Sequence, residues 1–341
     1  MAVQPHRGAP TLVEVARVAG VSRATASRAI NGGDRVSPDA MAAVQAAVKE
    51  VGYRPNRAAR SLVTNRTDSI AVVIPESGRV LFSDPFFATV LQGVTTALSH
   101  TELQIVLAIG EKGGASERLN AYLRGRHSDG AIVISHHRTD NVAELLSGSP
   151  MPSVFIGRPW APEETPVTYI DVDNVDGGRL AAEHLLERGA RAPAAISGPR
   201  DMGAPVDRLA GWHQGLAAAG RPPCPVRFAD FTVDSATAAT EMLLDDHPEV
   251  DAIFVASDLM ASAALRVLRD RGLRVPQDVR VVGFDDMDLA RTTEPTLTTL
   301  VNPAERLGRG AVAMLLDQLE NGGDGPTQRI LPTELVQRES S

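Results

Sequence analysis

Residues 11–31 read TLVEVARVAGVSRATASRAIN, and the fold of the N-terminal region turns on this stretch. Thr11 and Glu14 have the spacing of a capping box, in which each side chain satisfies a backbone N–H at a helix start. Val13, Ala16 and Val18 are expected to supply the apolar contacts of that first helix, and Gly20 permits a sharp turn after it. Ser22 is placed to cap a second helix running from Arg23 to Ile30. At about 100° per residue, Ala26, Ala29 and Ile30 fall roughly opposite Ala24, Ser27 and Arg28, with Arg23 on the N-terminal shoulder. One face packs and the other is free, the pattern of a helix-turn-helix that lays its second helix in the DNA major groove. Taken alone, the same pattern fits an ordinary helical hairpin with surface arginines, so the rest of the chain has to decide.

Charge is the first discriminator. The 341 residues carry a net charge of −8, which is unfavourable for a DNA binder if spread evenly. Residues 1–66 hold 10 Lys and Arg against 4 Asp and Glu, while the remainder holds 24 against 38, so a +6 head sits on a −14 body. Such a chain draws phosphates to its head and repels them elsewhere. At 43% hydrophobic and 22% charged residues, the composition is that of a globular protein long enough for two or three domains. The single cysteine, Cys224, rules out an intrachain disulfide and suits a reducing compartment. Residues 1–10 lack the apolar core of a signal peptide, and no apolar run is long enough to cross a bilayer, so a cytoplasmic location is expected.

Further along, Ser37-Pro38 opens a third helix to about Val51, ended by Gly52, whose Met41, Val44, Val48 and Val51 would close a three-helix core. Pro55-Asn56 then breaks the chain before a short helix, residues 57–62, with Asn56 as its cap. A helix of under two turns is not stable by itself in water, so this segment is expected to fold only against DNA and its own twin. Leu62 would then be an apolar wedge for the minor groove. From Ile70 on, short β-branched runs alternate with helical stretches: IAVVI (70–74), QIVLAI (104–109), GAIVIS (130–135), SVFIG (153–157), TYIDV (168–172), PAAIS (193–197), AIFVAS (252–257) and VRVVGF (279–284). This predicts two α/β lobes with parallel sheets covered by helices on both faces, and a ligand cleft beyond the strand carboxyl ends.

The motifs TLVEVARVAGVSRATASRAING, RVSPDA, VGYRPNRAARSL, DPFF, DRLAGW, SDLMASAAL, VPQDVRVVGFDD and PTLTTL together resemble the LacI/GalR family of bacterial transcriptional repressors, over nearly the whole chain. The resemblance implies a DNA-binding headpiece (residues 1–54), a hinge helix (55–68) and a two-lobed body like the periplasmic sugar-binding proteins (69–341). It implies base contacts from Arg23, Ala24 and Arg28, with backbone contacts from Ser22 and Thr25. It extends the DNA-facing set to Asn31, Asn56, Ala59 and the intercalating Leu62. Arginines at the reading positions favour guanine O6 and N7. Ala26 and Ala29 depart from the family's commoner valines, which would weaken headpiece packing.

In the body, Arg208 and Asp285 match the pair that grips the effector, a fork and a carboxylate suited to a polyhydroxylated ligand. Phe231 matches the stacking aromatic, Phe86 and Phe87 the opposite wall, and Ser257 a polar cleft position. The DPFF wall and the turn after the third strand are similar to regulators of plant-polysaccharide and disaccharide use, and imply a β-linked disaccharide such as cellobiose. The expected working form is a homodimer on a palindromic double-stranded operator, released by the sugar, without a tail-built tetramer because no leucine heptad follows the last strand. A corepressor-type regulator, whose ligand (a purine, for example) tightens DNA binding, is the alternative. No catalytic motif, metal site or cofactor is expected. IDVDNVDGG (170–178) imitates a calcium loop, but Val175 and Ala182 stand where ligands are required. His136 and His137 fall at a strand end, where they either line the cleft or face solvent.

Overall fold

The structure, a computed structural model, describes residues 10–30, 36–53, 66–110, 117–125, 127–160, 164, 166–322 and 325–341. Asn31, Asn56, Ala59, Leu62 and the expected short helix lie outside the described residues. The chain divides into two units, Met1–Thr67 and Asp68–Ser341.

In the first unit, three helices form where the caps predict them: α1 (Leu12–Val18), α2 (Arg23–Ile30) and α3 (Pro38–Val51). The capping box is complete, with the Thr11 N–H donating to Glu14 Oε2 at 3.0 Å and the Glu14 N–H to Thr11 Oγ1 at 3.3 Å. Gly20 takes the left-handed turn at φ 67°, and Ser22 Oγ accepts from the Thr25 N–H at 3.1 Å. Gly52 ends α3 at φ 66°. Val15, Ala16, Ala26, Ala29, Val44 and Ala47 form the core. One contact expected from sequence is wrong: Val13 is 59% exposed, and its place inward is taken by Val15, because α1 is rotated so that Val15 and Ala16 share the packed face.

The second unit holds two six-stranded sheets. One lobe has β1 (Ser69–Ile74), β2 (Gln104–Ile109), β3 (Gly130–Ile134), β4 (Ser153–Ile156), β5 (Thr168–Val172) and β11 (Gln328–Leu331), in the order β11-β5-β4-β3-β1-β2, parallel throughout. The other has β6 (Pro193–Ser197), β7 (Val226–Phe228), β8 (Ala252–Val255), β9 (Arg280–Asp285), β10 (Thr298–Val301) and β12 (Leu335–Val336), in the order β12-β10-β9-β8-β6-β7, with β12 alone antiparallel. The first lobe is covered by α4 (Gly78–Ser83), α5 (Pro85–Leu98), α6 (Glu117–Arg124), α7 (Val142–Ser147) and α13 (Ala304–Asn321). The second is covered by α8 (Asn174–Glu187), α9 (Gly203–Ala218), α10 (Val233–Asp246), α11 (Asp258–Asp270) and α12 (Asp288–Thr292). Neighbouring strand residues feed opposite cores: Ile70, Val72 and Ile74 pack on one side of the first sheet, Ala71 and Val73 on the other. Both faces being dry is why the central strands read as unbroken apolar runs rather than alternating ones.

The chain crosses between lobes after β5, after β10 and after β11, and the crossings are tied to one another. The Asp173 N–H donates to the Leu331 carbonyl at 2.9 Å, and Thr333 Oγ1 to the Val301 carbonyl at 2.8 Å. Close approach of α8 and α9 fixes the floor beside this hinge. A β-carbon at Gly178 would overlap the Arg208 carbonyl, so only glycine lets α9 lie near enough to set the Arg208 side chain under the cleft. No helix among the described residues is long and apolar enough to cross a membrane.

Candidate functional site

Between the lobes lies a cleft of about 750 Å³, counted out to its open mouth, built from residues at the carboxyl ends of strands. Glu76 follows β1, His136 follows β3, Arg158 follows β4, Asp171 lies near the end of β5, Asp285 ends β9 and Asn302 follows β10. This is where open α/β sheets hold ligands, because loops leave the strands there and diverge.

Arg208 forms the floor. It is 5% exposed, its Nε donates to Asn174 Oδ1 at 2.8 Å, and its Nη1 donates to the Ala256 carbonyl at 2.5 Å. The guanidinium carbon lies 3.6 Å from the centre of the Phe284 ring, a cation–π contact that holds the fork flat. Asp285, with φ at 124°, faces it at 3.7 Å and accepts from Asn302 Nδ2 at 3.0 Å. Burial raises the Asp285 carboxyl above its ordinary range, against the pull of Arg208 and Asn302. Asp171 is pushed up to about 6 by burial, opposed by the N–H groups of Arg158 and Val172 that donate to it. Asp84 caps α5 by accepting from the Phe86 N–H, and burial, with the Asp285 charge adding, lifts it to about 7.

Of the residues expected from sequence, Phe86, Phe87, Arg208, Phe231 and Asp285 come together around this cleft. Phe231 adopts φ 61° and lies over Gly198, where a β-carbon would collide with the ring. Phe87 is 3% exposed and belongs chiefly to the core under α5. Ser257 is a correction: it is 1% exposed, does not line the cleft, and spends its hydroxyl capping α11 through the Met260 N–H at 3.2 Å. Sequence reasoning missed Glu76, Asp84, Arg158, Asp171 and Asn302. All but Asp84 are polar residues at or just past the end of a strand, and that position was the available signal. The IDVDNVDGG stretch is the end of β5 and the start of α8, and no cluster of metal ligands occurs among the described residues.

Among the described residues, three ion pairs clamp the cleft's rims. Arg158 forks Asp207 of α9 at 2.8 and 2.7 Å. His137 Nδ1 stands 3.1 Å from Asp201 Oδ1, and Arg79 reaches Asp234 at 2.5 Å. Each joins a residue of one lobe to a residue of the other.

On the headpiece, Ser22, Arg23, Ala24 and Arg28 of the turn and α2 are exposed, while Ala26 and Ala29 are buried. Thr25 is half-buried, with its hydroxyl 2.8 Å from that of Ser22. Arg28 Nε donates to the Ala24 carbonyl at 3.3 Å, which sets its guanidinium along the free face.

A small helix-turn-helix unit ahead of a two-lobed α/β body with a polar interlobe cleft defines a class: transcriptional regulators whose DNA-binding head is coupled to a ligand-binding body. Residues 11–56 match the bacterial regulatory proteins of the lacI family, and residues 182–341 match the periplasmic binding protein-like domain. The chain belongs to the lacI family. It is 48% identical over 337 residues to the HTH-type transcriptional regulator CelR of Thermobifida fusca, covering 98% of this chain and 99% of that one. The solved complex of a transcriptional regulator CelR with cellobiose is 46% identical, with a TM-score of 0.78, covering 97% of this chain and 100% of that one. The lac repressor dimer bound to operator and the anti-inducer ONPF superposes at a TM-score of 0.86 and 29% identity, covering 97% and 99% of the two chains.

Proposed function

We propose that the protein is a sequence-specific repressor, not an enzyme, that holds a palindromic operator as a cytoplasmic homodimer and releases it when a neutral sugar enters the cleft. In this reading residues 1–54 read DNA, 55–68 form a hinge that folds on it, and 69–341 bind the effector and dimerise. The observation that carries the ligand class is the Arg208–Asp285 gap of 3.7 Å: a buried donor and a buried acceptor, too far apart to satisfy each other. Adjacent hydroxyls of a sugar offer the complementary acceptor and donor, and Phe231 and Phe86 offer apolar faces for the ring. Charge sharpens the class. Among the described lining residues four carboxylates (Glu76, Asp84, Asp171 and Asp285) face two guanidiniums (Arg158 and Arg208), which disfavours a sugar acid or phosphate. A cellobiose complex of a regulator 46% identical supports a β-linked disaccharide such as cellobiose.

The sugar acts through its differing affinity for two lobe arrangements, one of which holds the hinge segments together on DNA. The test is fluorescence anisotropy on a palindromic operator selected from random DNA, with and without cellobiose, lactose and glucose. Weakened operator binding is expected with at least one of them. No effect from any sugar, or a ligand that tightens binding as a purine corepressor would, overturns the induction reading. For the hinge, Leu62→Ala is expected to weaken operator binding much more than binding to random DNA; an equal loss on both overturns the wedge assignment.

A further inference from the structure

At the β11 edge of the first sheet, β11 and α13 enclose a second cavity, of about 560 Å³ counted out to its open mouth. Three arginines line it: Arg306 and Arg309, about one turn apart on α13, and Arg329 on β11. Ile170 of β5 and Leu331 of β11, both buried, make an apolar floor. Only glycine at position 310 leaves room for the tip of Ile170, since a β-carbon there would come to 2.4 Å of Ile170 Cδ1.

The charge of this cavity runs against that of the body, where residues 67–341 hold 24 Lys and Arg against 38 Asp and Glu. Glu305 takes one arm of Arg309 at 2.6 Å, in a solvent-exposed pair. Among the described residues, the Arg306 and Arg329 side chains make no ion pair or hydrogen bond. Three guanidiniums around one cavity repel each other, the more so beside an apolar floor, and a counter-anion relieves that repulsion. Arg306 also stands in the first turn of α13, where the helix dipole adds positive potential. Guanidinium forks match the oxygens of a phosphate with paired N–H bonds.

The cavity is separate from the interlobe cleft. Asp171 and Leu307 line the cleft, whereas their chain neighbours Ile170 and Arg306 line the outer cavity, so a ligand in one does not occupy the other. We propose that the outer cavity binds a small organic phosphate monoester. Arg306, Arg309 and Arg329 hold its phosphate, and its carbon portion lies on Ile170 and Leu331, which favours an ester over inorganic phosphate. The two sites sort ligands by charge: four carboxylates against two guanidiniums in the cleft disfavour the anion that this cavity attracts. The outer site is independent of what the cleft binds.

The experiment uses the full-length protein and a double variant, Arg306→Gln with Arg329→Gln, in titration calorimetry and thermal melts at physiological ionic strength. The probes are glycerol 3-phosphate, inorganic phosphate and glycerol. Glycerol 3-phosphate is expected to give a saturable one-site isotherm with the wild type and to raise its melting midpoint. Inorganic phosphate should bind more weakly, and glycerol not at all. The double variant should lose at least about tenfold in affinity for glycerol 3-phosphate. Its ligand-free midpoint should match that of the wild type, because both arginines are exposed. Equal affinity in variant and wild type, or no saturable binding to the wild type, overturns the site. Inorganic phosphate binding as tightly as the ester overturns the role given to Ile170 and Leu331. If neither phosphate binds, and the double variant instead weakens DNA binding with a shallower salt dependence, the arginines hold DNA phosphates and the metabolite site is overturned.

Discussion

Arg208 Nη2 and Asp285 Oδ1 face each other at 3.7 Å, each held in place by other partners. Asn174 and the Ala256 carbonyl take the other arms of the guanidinium, and Asn302 takes the carboxylate. The pair is therefore held apart rather than allowed to collapse into a direct salt bridge. A fork clamped in this way loses little entropy when a ligand arrives, which is how a small cleft obtains affinity from few contacts.

Asp285→Asn keeps the side-chain shape and removes the charge-assisted acceptor. Sugar affinity is expected to fall by about tenfold to a hundredfold, the difference between charged and neutral hydrogen bonds. Calorimetry with cellobiose checks it. Arg208→Ala is the harsher change, since it leaves Asp285 buried without its counter-charge; a stability loss of roughly 3–5 kcal/mol is expected in urea melts.

The Arg158–Asp207 fork joins the lobes through two near-ideal hydrogen bonds, with the side chains 30% and 18% exposed. Partial exposure discounts the pair, so a double-mutant cycle with Arg158→Gln and Asp207→Asn should return a coupling of about 1 kcal/mol in the ligand-free protein. A cycle repeated with saturating sugar should return a different coupling if the ligand shifts the lobes; identical values in both states would mean that the fork does not sense the ligand.

Stability should fall as pH rises through the range set by His137. Burial works against its charge, but Glu76 and then Asp201 hold the folded-state value up at about 9, above the ordinary 6.5. A raised value means that the folded protein binds the proton more tightly than the unfolded chain does. The contribution is complete below about pH 6.5 and is lost as pH climbs to about 9; the shift bounds it at about 3 kcal/mol. Denaturant midpoints for wild type and His137→Gln should therefore converge between about pH 6.5 and 9. Parallel curves across that window would show that the imidazole is not charged in the folded state.

Local signals and apolar runs made most of the architecture legible. Thr11, Glu14, Ser22, Ser37 and Gly52 each mark a helix end through a bond that their own side chain or backbone makes, so sequence spacing was enough. The central strands stood out because both of their faces are dry. β2 kept the same apolar run at a sheet edge, where Leu107 and Ile109 are 39% and 40% exposed. What escaped was non-local. β10 reads as TTLV, and its threonines pass as surface residues until Ser340, Arg338 and Asp258 are seen to satisfy them. β7 and β11 are edge strands with polar residues, and nothing in VRF or QRIL separates them from loop. At the cleft, Arg208 and Asp285 were visible through motif position, whereas Glu76, Arg158 and Asn302 acquire meaning only when three crossings bring strand ends together. Ser257 was misread because a cap and a cleft residue look alike in sequence when a strand runs into a helix.

Arg28 offers the cleanest separation of address from grip. It is exposed on the free face of α2, and its Nε bond to the Ala24 carbonyl sets the guanidinium beside Ala24, another residue expected to read bases. An arginine that forks guanine O6 and N7 contributes about 1–3 kcal/mol of discrimination, and it adds nothing comparable on random sequence. Arg28→Ala should therefore cost about 1–3 kcal/mol on the selected operator, cost much less on random DNA, and relax preference at a single base position in each half-site. The response to the sugar should persist in this variant, because the lobe rearrangement is set in the body. Anisotropy titrations on both DNAs at several salt concentrations separate the outcomes. If Arg28 instead contacts a phosphate, both DNAs lose affinity equally and the salt slope falls by about one charge, which would move Arg28 from reading the sequence to holding the backbone.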